Sequence, residues 1–428
     1  MNARFTAAVC TAFALFAGPA HAQRPFSGTS ASAAQPADEF AGLDVYLLTI
    51  GQGDEVWERF GHNAILLRDT TRGLDVAYNY GMFSFDQPGF VGRLIQGRML
   101  YWMQPMDGSR MVLAYRQRNR TVRAQKLALT PVQTYELARF LEWNAQPENA
   151  EYLYDPFRDN CSTRVRDALD RVLDGALGSA LRDVPTDETY RSHSLRLLDG
   201  APAAYTGLLI ALGQPTDVPL SDWEAAFIPM ELSDAVASVR ITQPDGMSAP
   251  LVSTDEVWFQ AEREPESDAA PSRLFAFILI GLLFAAIFLG LGHIAGRGRT
   301  ARITLALLAF VWAINIGVLG SIIGGMWAFT DHFATYRNEN LFVMNPLSVL
   351  LALLVLPAFL ARRATRAAFL VAAAIAALGV LGVLLQVLPG LNQQNGEMLA
   401  ATVPGHVALA TVLWLWRRDR VMGEYVNG

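Results

Sequence analysis

Cysteine is scarce in this chain. Two occur in 428 residues, Cys10 and Cys161. The first lies in a segment that reads as a cleaved leader, so the mature protein is expected to carry one thiol and no internal disulfide. The patterns of several common chemistries are missing as well. There is no His, Cys, Asp and Glu cluster with metal-ligand spacing, no phosphate-cradling glycine loop and no basic patch suited to nucleic acid. No cofactor, no metal and no nucleic-acid partner are therefore expected. Between the leader and Arg273 there is also no uncharged run long enough to span a bilayer.

Beyond Arg273 the composition changes. With 52% hydrophobic residues the whole chain is too apolar for an ordinary soluble protein, and the excess sits in five runs at roughly 274–294, 303–329, 341–360, 367–389 and 399–416. Arg297, Arg299 and Arg302 follow the first run, Arg362, Arg363 and Arg366 the third, and Arg417, Arg418 and Arg420 the fifth. The opposite loops hold only Arg337 against Asp331, Glu339 and Glu397. The positive-inside rule then places the soluble part and the loops at 330–340 and 390–398 outside, and the C-terminus in the cytoplasm. The opening MNARFTAAVCTAFALFAGPAHA, residues 1–22, agrees. Arg4, an apolar run to Phe16 and Ala20-His21-Ala22 make a secretory signal peptide. No cysteine begins the mature chain, so the protein is not itself expected to be a lipoprotein. Residues 23–40 are small and polar and read as a disordered linker.

Residues 41–265 read as an α+β domain, followed by an all-α transmembrane domain of five helices over 271–420. LDVYLLTIGQGD alternates like a strand running into a loop, and HNAILLRD with LDVAYNYGMF reads as a hairpin. Closure near Thr71 would set His62 across from Asn79 or Tyr80. PGFVGRLIQGRMLYWMQPM has a mixed pattern without an assignment, and SRMVLAYRQRNRTVRAQKLAL reads as one strand or two. TPVQTYELARFLEWNAQ is a helix capped by Thr130 with Pro131 in its first turn. A second helix follows YLYDPFRDN, with Val165, Leu169, Val172 and Leu173 on one face and Arg166, Asp167 and Asp170 away from it. Asp159 or Asn160 is its cap, and Cys161 stands in its first turn.

A thiol there feels the positive end of the helix dipole, and Arg158 and Arg164 add to the pull toward thiolate. First-turn N–H groups also suit the oxyanion of a tetrahedral intermediate, which brings in Asn160 and Ser162 as oxyanion or supporting residues. The alternative is a buried structural cysteine; the polar context DNCSTR and the exported location weigh against it. A nucleophilic cysteine needs a base. The outer domain offers His62, in WERFGHNAILL, and His193, in TYRSHSLR; His62, at the start of a strand, is the better candidate. SDWEAAFIP shows no obvious chemistry and reads as packing. Trp102, Trp312 and Trp327 read as core or interfacial aromatics.

FGHNAILL, YNYGMFSF, LYDPFRDNCSTR and PLSDWEAAFIPMELSDAV resemble, in that order, the Lnb N-terminal periplasmic domain family. The His-before-Cys order is also similar to the circularly permuted NlpC/P60-like (papain-like) enzymes, including lecithin-retinol acyltransferase relatives. The resemblance implies Cys161 as nucleophile, His62 as base and Asn79 as a third, orienting group at a place where some relatives carry another His. FTDHFATYRNENLFVMNPL looks like the outward loop of full-length Lnb-type lipoprotein N-acyltransferases. Its His332, Asn338, Asn340 and Asn345 are then expected to bind lipid headgroups or the incoming amine.

The function implied is acyl transfer at the bacterial inner membrane. A phospholipid would donate an acyl chain to Cys161, and the α-amine of a diacylglyceryl lipoprotein would take it from the thioester. The same Cys-His pair would equally serve a phospholipase or a cell-wall cysteine peptidase, and an inert Cys161 would leave a non-catalytic membrane receptor or assembly factor.

Overall fold

Apolar residues dominate the stretch after Leu43, which forms β1 (Asp44–Ile50). In the computed structural model, which describes residues 42–243, 246–361, 365–391 and 393–426, β1 belongs to a seven-stranded antiparallel sheet. The expected leader, the expected linker and two of the basic residues invoked for orientation, Arg362 and Arg363, lie outside the described residues. The hairpin comprises β2 (His62–Asp69) and β3 (Leu74–Met82). Its turn is held by Asp69, whose Oδ1 accepts from the Thr71 N–H at 2.8 Å, with Gly73 at φ +70°. The register lies one residue beyond the Tyr80 pairing, within the single-residue tolerance of the sequence reading. Asp69 pairs with Leu74 and Ala64 with Asn79, so His62 stands two positions beyond the residue facing Asn79. A closing pair one residue further along than Thr71 allows accounts for the shift.

The sheet is completed by β4 (Leu100–Asp107), β5 (Val122–Leu127), β6 (Glu151–Leu153) and β7 (Val252–Phe259) in the order β7-β5-β1-β2-β3-β4-β6. Two segments depart from the sequence reading. The stretch without an assignment contains α1 (Phe90–Gln96), between two glycines in the left-handed region, Gly89 and Gly97. Gly108–Gln117, read as strand, is α2. Asp107 caps it by accepting from the Arg110 N–H at 2.8 Å, its Met, Leu, Ala, Arg and Gln favour helix, and Met111 covers Leu48, Ile50, Leu66 and Ala77 on one face of the sheet.

The other face carries α3 (Pro131–Asn144), with the expected Thr130 cap closed into a box by Gln133, and α4 (Cys161–Val172). Leu137, Leu141, Val165 and Leu169 pack there on Val45, Leu47, Ile65 and Leu67. Arg166 does not point away as expected. It is buried, donates Nη1 to the Trp223 carbonyl at 2.6 Å and lies 3.9 Å from the Trp223 ring centroid. The longer of the further helices in this part are α5 (Tyr190–Leu197), α6 (Pro202–Ala211) and α7 (Pro229–Ser238).

Among the described residues, five helical stretches long and apolar enough to cross a membrane follow. They are α8 (Leu274–Ala295), α9 (Arg299–Phe329), the stretch Phe333–Leu360 that ends in α10 (Leu347–Leu360), α11 (Arg366–Leu385) and α12 (Gly396–Val426). The third apolar run is regular α-helix only from Leu347, because Pro346 interrupts it and Glu339–Phe342 forms a tighter 3-10 turn. Small residues bring the spans together: a Cβ on Gly320 would lie 1.9 Å from the Met344 carbonyl oxygen, and one on Gly281 2.1 Å from that of Ala400.

The two parts share an interface. Leu195, Leu198, Tyr205 and Leu209 pack on Ile316, Ile323, Met344 and Met398. At the end of α6 the exposed carbonyls expected of a helix C-terminus are met by side-chain amides from the membrane half. Asn340 donates to Leu209 at 2.7 Å, Asn338 to Ile210 at 2.8 Å and Gln393 to Leu212 at 3.0 Å.

Candidate active site

Asn160 starts α4. Its Oδ1 accepts from the N–H groups of Ser162 and Thr163 at 2.8 and 3.0 Å, and its own N–H donates to Thr163 Oγ1 at 2.8 Å. The start of the helix is then fastened from outside. Asn160 Nδ2 donates to the Phe227 carbonyl at 3.0 Å and Ser162 Oγ to that of Ala226 at 2.7 Å. Both carbonyls belong to the SDWEAAFIP segment, so a stretch read as packing does something more specific and holds the cysteine's helix turn in place. Across from Cys161 stands Gly81 at φ +93°, where a Cβ would come within 3.4 Å of the cysteine Cβ.

Cys161 is free and half-buried. The backbone N–H groups of Asn63, Cys161 and Ser162 are directed at its sulfur, and Asn63 is the residue after His62. The strand that begins with His62 therefore touches the thiol. The expectation of a resting thiolate is overturned: burial pushes the thiol up, and the N–H groups and Arg120 offset this only in part. A helix terminus contributes about 0.3–1 kcal/mol, whereas desolvating an anion costs several. The two nearby arginines are already engaged. Arg158 pairs with Asp155 at 3.1 Å, and Arg164 pairs with Asp159 while its guanidinium covers the Tyr152 ring.

His62 Nε2 lies 3.0 Å from Asn79 Oδ1. Asn79 is buried, and its Nδ2 donates to the Ala77 carbonyl at 3.2 Å, which turns Oδ1 toward the ring. Oδ1 only accepts, so Nε2 carries the proton and Nδ1 is the basic nitrogen. The contact is diagonal across the hairpin, which is how the residues meet despite the shifted register. Burial lowers the His62 pKa to about 4, with Asn79 opposing and Arg120 adding to the decrease. The imidazole is thus neutral at pH 7. A neutral, oriented imidazole one residue from the N–H that meets the thiol suits nucleophilic attack with proton transfer to the ring.

Several neighbours had no signal in the sequence. Tyr115 of α2 places its ring centroid 6.3 Å from that of His62, and Arg120 covers Tyr115 at 5.0 Å. Arg120 is buried, donates Nε to the Gly51 carbonyl at 2.9 Å and pairs with Glu58. Finding them required α2 to be recognised as a helix. Tyr101 and Tyr154 stack at 4.0 Å and lie within electrostatic reach of the Cys161 sulfur.

The second histidine considered, His193, is buried in α5 with Nδ1 3.6 Å from Glu231. The four loop residues expected at a headgroup site have other partners. Asn338 and Asn340 are buried, with their amides engaged by α6 carbonyls, and Asn395 donates to Asn340 Oδ1 at 3.0 Å. Asn345 caps α10 through the Leu347 N–H. His332 Nε2 lies 3.0 Å from the Leu94 carbonyl of α1. Asn338 and Asn340 join the two halves of the chain, and Asn345 bonds within the membrane half, its Nδ2 to the Leu341 carbonyl. Among the described residues no three His, Cys, Asp or Glu side chains are grouped to hold a metal ion.

Comparison with known families adds two matches. Residues 35–195 fit the family model for the Lnb N-terminal periplasmic domain, and residues 269–390 fit that for the Lnb transmembrane domain. No curated protein and no solved structure matches the chain.

Proposed function

We propose that this chain, which belongs to the Lnb family, is a thiol-dependent acyltransferase that moves an acyl chain from phospholipid to the N-terminal amine of a lipoprotein. The two family matches make it a multi-pass membrane protein of the Lnb type with a periplasmic N-terminal domain. The finer reading rests on one observation: the Cys161 sulfur meets the Asn63 N–H beside His62, whose Nε2 is committed to Asn79 and whose Nδ1 is the basic nitrogen.

In the first half-reaction His62 Nδ1 takes the thiol proton as Sγ attacks the ester carbonyl of the phospholipid. The N–H groups that favour the thiolate at rest, Asn63 and Cys161, are placed to receive the developing oxyanion. Collapse forms the thioester, and the His62 proton leaves with the alkoxide as lysophospholipid. In the second half the lipoprotein α-amine attacks the thioester, His62 takes a proton from that amine, and the thiol regains one as it departs. Asn160 and Ser162 keep the nucleophile's turn fixed throughout. Tyrosines around the sulfur and the position above the spans favour a lipid substrate, since a two-chain lipid is costly to extract into water.

The permuted NlpC/P60-like relation is part of this proposal. It is supported by a cysteine opening a helix against an antiparallel sheet whose second strand begins with histidine. Residues 1–22 as signal peptide, 23–40 as linker, 41–265 as catalytic domain and 271–420 as membrane domain complete it. The basic residues Arg297, Arg299, Arg302, Arg366, Arg417 and Arg418 set the cytoplasmic side, where the C-terminus belongs.

The test is incubation of the full-length protein in detergent with phospholipid and a diacylglyceryl lipopeptide, read by mass spectrometry beside Cys161→Ala. A lipopeptide heavier by one acyl chain, with lysophospholipid, both lost in the variant, is the expected result. Free fatty acid with an unmodified lipopeptide would make the protein a lipase, and no change in either substrate would overturn acyl transfer.

A further inference from the structure

The α1 segment carries its apolar side chains outward. Phe85, Val91 and Ile95 are 70, 65 and 62% exposed, Leu94 is also exposed, and no residue of α1 is buried. Scattered apolar side chains on a surface are ordinary; this many on one short segment mark an interaction site.

The membrane half fixes where this segment lies. The Asp331 N–H donates to the Gln96 carbonyl at 2.9 Å, Arg98 Nε donates to the Asp331 carboxylate at 2.5 Å, and His332 Nε2 meets the Leu94 carbonyl. Asp331 and His332 come directly after α9, whose last turn exposes Trp327 and Phe329. An exposed Trp beside an exposed Phe at the end of a spanning helix marks the bilayer interface. The apolar face of α1 is thus held at the level where the acyl region begins, continuous with the surface of the spans.

From α1 an aromatic file runs inward. Phe90 and Phe85 are 5.4 Å apart between ring centroids and Phe85 and Phe83 5.0 Å; Phe83 then stacks on Tyr101 at 5.2 Å and Tyr101 on Tyr154 at 4.0 Å. Tyr101 and Tyr154 are two of the four tyrosines within electrostatic reach of Cys161, beside Tyr115 and Tyr152. One end of the file is wet and apolar, the other reaches the thiol.

We propose that α1 dips into the outer leaflet and that the aromatic file from Phe85 to Tyr154 is the subsite along which a membrane phospholipid's acyl chain passes from the bilayer to Cys161. Occupation by an acyl chain follows from continuity with the lipid-facing spans and from the five aromatic rings that make up the file. Delivery to the thiol rests on the acyl-transfer reading above; insertion of α1 does not.

Two measurements on the full chain in phospholipid nanodiscs test it. In a Cys10→Ser, Cys161→Ser background, Ile95→Cys carries an environment-sensitive fluorophore, with Glu136→Cys on the exposed side of α3 as reference. Doxyl-labelled lipid is expected to quench the label at 95 several-fold more strongly; equal quenching would overturn insertion. Separately, V91S/L94S/I95S is compared with the parent for Cys161 thioester formation from nanodisc phospholipid and from a short water-soluble ester. The loss on phospholipid is expected to exceed that on the soluble ester at least fivefold, and equal losses would overturn the delivery route. If the parent forms no thioester from phospholipid, the transfer reading has failed, and the quenching result still decides insertion.

Discussion

Replacing Asn79 by alanine removes one hydrogen bond and should slow thioester formation roughly tenfold. The bond runs from His62 Nε2 to Asn79 Oδ1 at 3.0 Å. At rest it joins two neutral groups and contributes about 0.5–1.5 kcal/mol; when His62 holds the thiol proton it becomes charge-assisted, at about 1.5–3 kcal/mol. The difference, about 1–1.5 kcal/mol, is felt only as charge develops, and each 1.36 kcal/mol is about tenfold in rate. The same substitution leaves the Ala77 carbonyl without its Asn79 donor, so the fold should lose about 1–3 kcal/mol. The pH profile separates the two effects. Asn79 favours the imidazolium, so His62 in the variant should titrate below its present value of about 4, and the acid limb of thioester formation should stay put or move down. The assay is Cys161 thioester formation from pH 4 to 9, with the unfolding midpoint measured in parallel. A rate within twofold of the parent, or an acid limb that moves up, would refute the role given to Asn79.

Gly81→Ala should cost roughly 1–2 kcal/mol, since residue 81 sits at φ +93°, and it should slow alkylation of Cys161 by iodoacetamide; an unchanged melting midpoint would contradict this. Gly213→Ala should be more damaging, because its Cβ would lie 2.0 Å from the Tyr336 backbone oxygen, and thermal unfolding in detergent should show loss of the contact between the two halves. His62 and His193 are both lowered to about 4 by burial. The unfolded chain, with histidines near 6.5, binds protons first as pH falls, so stability present above about 6.5 is lost progressively down to about 4, by at most about 3 kcal/mol for each histidine. Melting midpoints at pH 7 and 5 should differ, and His193→Gln should shrink the difference; a flat profile would refute the burial argument.

Features set by near neighbours in sequence were the ones legible there. The asparagine cap of α4 and the Thr130 box of α3 are written within four residues, and apolar runs long enough to span need no partner to be recognised. α2 was not legible, since Met111 and Gly108 are its only buried residues and the sheet face that receives it is assembled from other strands. Arg166 looks solvent-facing until Trp223 arrives from 57 residues away. The charge state of Cys161 failed for a related reason: the helix dipole and two arginines are visible locally, while the burial that outweighs them is a product of the whole fold. His62 and Asn79 were paired by sequence reasoning, and their diagonal contact survives the one-residue slip in register.

The amides that close off α6 have a consequence for biosynthesis. α6 spans residues 202–211, yet the groups that satisfy its terminal carbonyls come from Asn338, Asn340 and Gln393. A ribosome delivers the two asparagines at least 127 residues after α6, once α8 and α9 have been made, and Gln393 only after α11. Until then the end of α6 and its apolar side, including Tyr205 and Leu209, have no seat. The soluble domain therefore reaches the periplasm unfinished, and α6 docks only when the bundle beneath it has assembled.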